Sequence, residues 1–147
     1  MLAALALATT TVSCEKPAPL PEEVPTIEVT YDALEGHWML THIDGEELFD
    51  DTMLYIKFEN HTDERMQHRY EMWDNIGSMY LRQTTGTYTL TTEQDGSYTI
   101  SGTYDNGVGD WNKAYRVVML PGERMQWWAE NSCLEFAYAM EIPEEFN

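Results

Sequence analysis

Residues 86–104, which read GTYTLTTEQDGSYTISGTY, are the stretch of the sequence that decides the fold. Aromatic or aliphatic side chains alternate with threonine and serine on both sides of the pair Asp95 and Gly96. An alternation with a period of two is typical of a half-buried β-strand, and Asp-Gly between two such runs is a strong hairpin signal. The stretch therefore predicts an antiparallel β-hairpin.

The same alternation continues on both sides of this hairpin. Candidate strands cover residues 35–43, 52–59, 65–73, 78–91, 98–104, 113–120, 124–130 and 133–142, with a tight turn predicted at Asp44 and Gly45. The apolar phase of 78–91 changes near Gly86, which predicts a β-bulge there. An antiparallel meander either closes into a barrel, which removes its edge strands, or folds into a sandwich. The sequence has no long connection of the kind that a Greek key requires. The sequence therefore predicts an all-β fold, an antiparallel eight-stranded up-and-down barrel.

Residues 34–38, which read LEGHW, open the first candidate strand and contain a Gly-x-Trp sequence at Gly36 and Trp38. Together with the hairpin 86–104, this motif resembles the lipocalin-like β-barrels, and in particular small bacterial lipoproteins with such a domain. The resemblance implies a lipocalin-like barrel domain over residues 32–143. It implies that Gly36 lets the chain turn into the barrel and that Trp38 plugs one end. Both roles are structural, and the resemblance indicates no ligand.

The N-terminus has the pattern of an export signal. Residues 2–8 (LAALALA) are apolar but too few to span a bilayer, which takes roughly 20 residues, so residues 1–13 are interpreted as a signal peptide. Val12, Ser13 and Cys14 resemble the end of a bacterial lipobox, and residues 14–31 form a proline-rich linker. We expect a protein of the cell envelope, anchored to the outer membrane by a lipid on Cys14, with either membrane face possible. An ordinary signal peptide that ends near a cysteine is the alternative.

The two cysteines of the chain give a second expectation. Cys14 and Cys133 are able in principle to form one disulfide. If Cys14 is acylated, Cys133 is instead expected to be a small packed residue, and the denatured mature domain is expected to titrate as one thiol. A Cys14–Cys133 disulfide would favour plain secretion.

The charge of the chain excludes one class of partner. The 147 residues include 26 acidic and 8 basic side chains, for a formal net charge of −18. Such a negative potential repels the phosphate backbone, so no nucleic-acid binding is expected. Hydrophobic residues make up 43% of the chain, which is enough for the packed core of one domain, and we expect a monomer.

Aromatic residues supply the candidate binding site. They recur at inward-type positions of successive strands, and the four candidate ligand-binding residues are Tyr88, Tyr98, Tyr115 and Trp127. An eight-stranded barrel is either filled by side chains or just wide enough for one small ligand. Buried tyrosine and tryptophan place polar points on an apolar wall, which suits a small apolar or amphipathic ligand, or a glycan. The same residues also suit a plain core.

The loops carry acidic residues without a catalytic signature. Residues 104–112, which read YDNGVGDWN, place Asp105 and Asp110 around two glycines, and these are the weak candidate metal ligands for Ca²⁺. A flexible hairpin loop at the barrel mouth is the preferred interpretation. The acidic run 44–51 lies on an exposed turn, where nothing would raise a carboxyl pKa. We therefore expect no enzyme, no metal site and no cofactor.

One alternative function uses the outer surface. An accessory or structural lipoprotein would contact an envelope complex through exposed side chains, for which Trp73, Trp111 and Trp128 are the candidates. The binding module requires a cavity, whereas the accessory protein requires an exposed apolar patch.

Overall fold

The computed structural model of the chain describes residues 27–105 and 109–141. The elements are α1 (Tyr31–Leu34), β1 (Gly36–Ile43), β2 (Glu46–Glu47), β3 (Leu54–Thr62), β4 (His68–Asp74), β5 (Arg82–Thr92), β6 (Tyr98–Gly102), β7 (Tyr115–Leu120), β8 (Arg124–Ala129) and β9 (Ser132–Ala139). The signal peptide, Cys14 and most of the linker, all predicted from the sequence, lie outside the described residues. Within the described part of the chain, no helix has the length and apolar character needed to cross a membrane.

The strands form one closed antiparallel barrel. Each of β3 to β8 pairs with the next strand along the chain, β1 pairs with β3, and β9 returns to pair with β1. β2 only extends a hairpin on β1, where Asp44 and Gly45 both have positive φ, as the predicted turn requires. The predicted eight-stranded up-and-down barrel is confirmed.

The up-and-down order gives the barrel two distinct ends. α1 lies at the end of the barrel where β1 begins, which is called the helix end here. Because the strands alternate in direction, the connections 63–67, 93–97 and 121–123 lie at this same end. The opposite end, called the open end here, carries the connections 44–53, 75–81, 103–114 and 130–131. Three of these four connections are longer than a tight hairpin turn, so the open end has the chain length needed to form the rim of a site.

A single helical turn covers the helix end. Thr30 caps α1, since its Oγ1 accepts a hydrogen bond from Ala33 N at 3.0 Å. The indole of Trp38 donates to the carbonyl of Leu34 at 2.9 Å, and both side chains are buried. Gly36, between them, has φ of +116°, and a Cβ there would lie 2.6 Å from the ring of Tyr138. A side chain at this bend would therefore be strained and would also clash.

Two residues assigned to the linker pack against the barrel. Val29 is buried, and Tyr31 stacks on His68 with ring centroids 3.7 Å apart. The hydroxyl of Tyr31 also accepts a hydrogen bond from Leu90 N at 2.9 Å. The packed unit therefore begins before residue 32. A helix of four residues gives no periodic signal in a sequence, so α1 was not predicted.

The predicted β-bulge at Gly86 is wrong. β5 pairs with β4 in continuous register from Arg82 to Tyr88. The phase change has another cause, because residues 78–81 are not in a strand, and Met79 and Leu81 are exposed in the preceding connection. The register shifts are instead in β1 after Leu40 and in β3 after Phe58.

Cys133 is not the free thiol expected from the sequence. It is fully buried in β9 and is a disulfide cysteine in this structure. The only other cysteine of the chain, Cys14, lies outside the described residues.

Candidate functional site

A half-enclosed apolar cavity of about 210 Å³ lies inside the barrel at its open end. Aliphatic side chains of β3, β4 and β9 form one side. Aromatic side chains of β7, β8, β9 and the connection 103–114 form the other. Its principal wall residues are Ile56, Met72, Trp111, Tyr115, Trp127 and Phe136. The barrel therefore retains space for a small molecule next to its packed core.

Trp127 lies at the centre of the aromatic side of this cavity. Its ring centroid is 4.8 Å from that of Phe136, 5.2 Å from that of Tyr115 and 5.8 Å from that of Trp111, and all three pairs are tilted. Tilted aromatic pairs at these separations are favourable. Because several elements fix the position of Trp127, the cavity is preformed on this side.

The structure divides the four predicted ligand-binding residues between two levels of the barrel. Tyr115 and Trp127 line the cavity. Tyr88 and Tyr98 do not, because they lie nearer the helix end of β5 and β6. Tyr88 packs on Phe58 with centroids 4.7 Å apart, and its hydroxyl donates to Glu59 O at 3.1 Å. Tyr88 belongs to the buried core, and the half-buried Tyr98 packs against it.

Trp111 was assigned to the outer surface and instead forms part of the cavity wall. Its backbone N–H donates to Gly102 O at 2.8 Å, and its ring crosses the inner side of β6 there. A Cβ at Gly102 would lie 2.6 Å from the Cζ2 of Trp111. Gly102 therefore provides the space for the indole. A glycine at an inward position of β6 was the signal in the sequence that could have identified this contact.

The other two tryptophans proposed for the outer surface are also not freely exposed. Trp73 is only 6% exposed and packs against Met53 and Tyr55 on the outer side of the barrel. Trp128 is half-buried, and its indole donates to Gln126 Oε1 at 3.2 Å. Alternation along a strand placed these rings on the outer face correctly. It did not show that neighbouring side chains cover them.

Hydrogen bonds hold Trp111 at the cavity. Its Nε1 donates to the hydroxyl of Tyr70 at 2.9 Å, and this hydroxyl donates to Thr103 O at 2.8 Å. Burial raises the pKa of Tyr70 to about 12, so the phenol stays protonated and remains a donor at neutral pH. The polar edge of Trp111 is therefore fully used inside the protein.

The indole N–H of Trp127, in contrast, has no acceptor among the described residues. Trp127 is 5% exposed, and its Nε1 is completely buried. Most buried donors in native proteins are paired, so one that is not requires an explanation. The side chain of Trp127 lines the cavity, but the Nε1 atom itself is closed off from it.

The two candidate metal ligands lie in the connection 103–114, and neither lines the apolar cavity. The carboxylate of Asp105 pairs with the guanidinium of Arg69, with Nη1 and Oδ1 2.9 Å apart, and accepts from Thr85 Oγ1 at 2.6 Å. The bond from Arg69, followed by that from Thr85, lowers the pKa of Asp105. Asp110 is exposed and forms a backbone bridge with Thr103. Over residues 27–105 and 109–141, no three His, Cys, Asp or Glu side chains are grouped for a metal ion.

A larger polar cleft of about 590 Å³ lies outside the barrel, beside the connection 63–67. Three of its charged lining residues, Asp63, Arg69 and Asp105, already have partners. Asp63 accepts hydrogen bonds from the backbone N–H groups of Arg65 and Gln67 at 2.8 and 2.9 Å, and Arg69 pairs with Asp105. The apolar cavity inside the barrel is therefore the better candidate site.

Comparison with known proteins identifies a family. A family model described as a lipocalin-like domain matches residues 34–127, which is more than half of the chain. The matched stretch runs from α1 into β8 and includes the cavity wall up to Trp127. No curated protein and no solved structure matches the chain.

Proposed function

Because this chain belongs to the lipocalin-like domain family, we propose that its barrel is a non-enzymatic binding module that holds a small apolar or amphipathic molecule. The observation that carries the proposal is the aromatic-walled cavity at the open end. Its volume of about 210 Å³ is below the roughly 300–1,000 Å³ of sites for drug-sized ligands. It exceeds the roughly 150 Å³ of an apolar cavity that accepts benzene. The proposed ligand is therefore about the size of a bicyclic molecule.

Indane, an apolar bicyclic hydrocarbon, is the probe for this proposal. We expect it to bind to the wild-type domain and to perturb tryptophan fluorescence and the indole N–H resonances of the cavity. Leu134, opposite Trp127 in the β8–β9 pair, lines the cavity. Leu134→Trp should occupy part of the space and weaken indane binding by about tenfold or more, which corresponds to 1.4 kcal/mol.

Leu90→Trp is the matched control, because Leu90 packs against the same core but does not line the cavity. It should leave the affinity for indane close to that of the wild type. Circular dichroism is needed to show that both variants keep the β-barrel spectrum. Absence of indane binding to the folded wild-type protein, or equal affinity in both variants, would contradict the proposed site.

We also propose that the protein is exported and attached to the envelope through a lipid on Cys14. The apolar run 2–8, the lipobox-like ending and the proline-rich linker support this proposal. The disulfide state of Cys133 opposes it if Cys14 is the disulfide partner, because one sulfur cannot carry both a lipid and a disulfide. The two states of Cys14 are therefore mutually exclusive and can be distinguished directly.

Expression of the full-length chain in a bacterium with lipoprotein processing tests the anchor. Cys14→Ser is expected to abolish lipid labelling and to move the protein from the membrane fraction to the soluble fraction. Cys133→Ser is the control and should keep both the label and the membrane fraction. An unchanged distribution of Cys14→Ser would refute the anchor. So would a Cys14–Cys133 disulfide found by non-reducing peptide mapping of the wild type.

A second candidate function is contact with an envelope partner through the open end. Phe49 is 81% exposed, Met79 92% and Tyr80 77%, and all three lie in connections at this end. Asn75 joins these connections by a hydrogen bond from Met53 N to its Oδ1 at 2.9 Å. Exposed apolar side chains near one another are typical of interaction surfaces. The cavity remains the stronger basis, because nothing in the described part of the chain shows what would cover these residues.

A further inference from the structure

One charged side chain borders the apolar cavity. Lys113, from the connection 103–114, is exposed to solvent and also lines this half-enclosed cavity. Among the described residues that line it, the others are apolar, aromatic or, at Asn112, amide-bearing, and none is acidic. In the whole chain acidic side chains outnumber basic ones by 26 to 8. The sign of the charge at the cavity is therefore opposite to that of the protein as a whole.

The ammonium group of Lys113 lies beside the aromatic wall. Its Nζ is 6.0 Å from the ring centroid of Tyr115, at the outer limit of a cation–π contact. The ring of Tyr115 in turn lies 5.2 Å from that of Trp127. A lysine stem packs on apolar surface while its charged end stays in water. Lys113 therefore places a positive charge where the apolar cavity meets the solvent.

This ammonium group is free to pair with a ligand. Within the part of the chain that the structure describes, Lys113 makes no ion pair. The cationic side chains that do form ion pairs there are Lys57, His61, Arg69, Arg82 and Arg124. Asp105, in the same connection as Lys113, pairs with Arg69. An anionic group on a ligand would therefore not need to displace a protein carboxylate from Lys113.

The net charge of the chain limits the kind of anion that would bind. The charge of −18 opposes an anion, but charges in water are screened beyond roughly 8 Å at physiological ionic strength, and a contact ion pair is much closer. The lysine ammonium is a compact single charge. It balances one negative charge, whereas a phosphate dianion would bring a second one into a repulsive potential. A monocarboxylate is therefore the anionic group that suits this position.

We propose that the ligand of the cavity is an amphipathic monocarboxylate, whose apolar body of bicyclic size occupies the cavity and whose carboxylate pairs with Lys113. This inference rests on the proposed binding function and adds the charge of the ligand and the residue that selects it. The aromatic wall supplies the apolar contact, and Lys113 determines the specificity for an anion.

The pair 2-indanecarboxylate and 2-indanecarboxamide tests the proposal, because the two probes have nearly the same shape and differ in charge. The wild-type domain should bind the carboxylate about fivefold more tightly than the carboxamide at pH 7 and low salt, as expected for a partly exposed ion pair. Lys113→Met removes the charge and keeps a long side chain, so the preference should disappear. Lys113→Arg keeps the charge and should retain the preference.

Lys57→Met is the matched control. It removes the same charge from β3, at a position that does not line the cavity and where the lysine pairs with Glu59 at 3.7 Å. This variant should keep the preference of the wild type for the carboxylate. If Lys57→Met and Lys113→Met lose the preference to the same extent, the total charge of the chain governs binding and this inference is wrong.

The salt dependence is a second measurement, and it needs only the wild type. Added salt weakens an exposed ion pair, so the preference for the carboxylate should fall as the concentration of sodium chloride rises. Tighter binding of the carboxamide, by a difference that narrows in salt, would show that the net charge dominates and would overturn this inference. Equal binding of both probes, while indane still binds, would overturn it and leave the proposed function standing. Failure of indane and both probes to bind would refute the proposed function itself.

Discussion

Replacement of Trp38 by alanine is expected to lower the free energy of unfolding by about 3–5 kcal/mol. The side chain is 3% exposed and lies near the start of β1, next to α1. Its ring meets that of Tyr138 edge-on with centroids 5.3 Å apart, and its Nε1 holds the carbonyl of Leu34. Alanine would leave a cavity in the core and an unsatisfied carbonyl in α1. Since domains are typically stable by only about 5–15 kcal/mol, the expected loss is a large part of the total.

Urea denaturation followed by circular dichroism measures this effect. Trp128→Ala is the matched control, because it removes the same side chain from a half-buried position on the outer face. Trp128→Ala should lower the free energy of unfolding clearly less than Trp38→Ala does. If the two variants lose the same stability, the indole of Trp38 stabilises the barrel no more than an indole on the outer face does. Because α1 is attached through Leu34, Trp38→Ala should also expose residues 29–34 to faster amide hydrogen exchange than in the wild type.

The strands and their closure could be predicted because a barrel imposes a period of two on every strand. Tyr115 and Trp127 occupy inward positions for this reason, and the pattern identified both. The same pattern selected Tyr88 and Tyr98, which are at the other level of the barrel. Alternation reports on which side of a strand a residue lies and not on its depth along the barrel axis. The depth depends on strand stagger, which is set by pairing between distant parts of the chain.

The features of the site that could not be predicted are those that do not depend on a periodic sequence pattern. Trp111 reaches the cavity from the connection 103–114, where no regular pattern fixes the direction of a side chain. The unsatisfied N–H of Trp127 depends on which atoms surround it, and this is a property of packing. The glycines were visible in the sequence. Gly86, however, was attributed to a bulge, although it is needed for a close contact between chain segments.

Gly86→Ala is the second substitution with a large expected effect. A Cβ at this position would overlap the backbone carbonyl of Thr103 and would lie 2.9 Å from the ring of Tyr70. Overpacking a core usually lowers the free energy of unfolding by about 1–3 kcal/mol, and by more when the neighbouring atoms cannot move. We expect a loss of about 3 kcal/mol or more in the free energy of unfolding. The carbonyl that the new Cβ would meet belongs to the backbone, which cannot move aside as the end of a flexible side chain can.

The displaced carbonyl also supports the cavity. Thr103 O accepts the hydroxyl of Tyr70, and this hydroxyl in turn accepts Trp111 Nε1. A shift of Thr103 would therefore release Trp111 from the wall and weaken indane binding as well as stability. Thr89→Ala, on the exposed side of the same strand, should change neither by more than about 0.5 kcal/mol. Gly86→Ala with wild-type stability would show that the connection 103–114 adjusts freely. In that case Trp111 would not be fixed through Tyr70, and this side of the cavity would not be preformed.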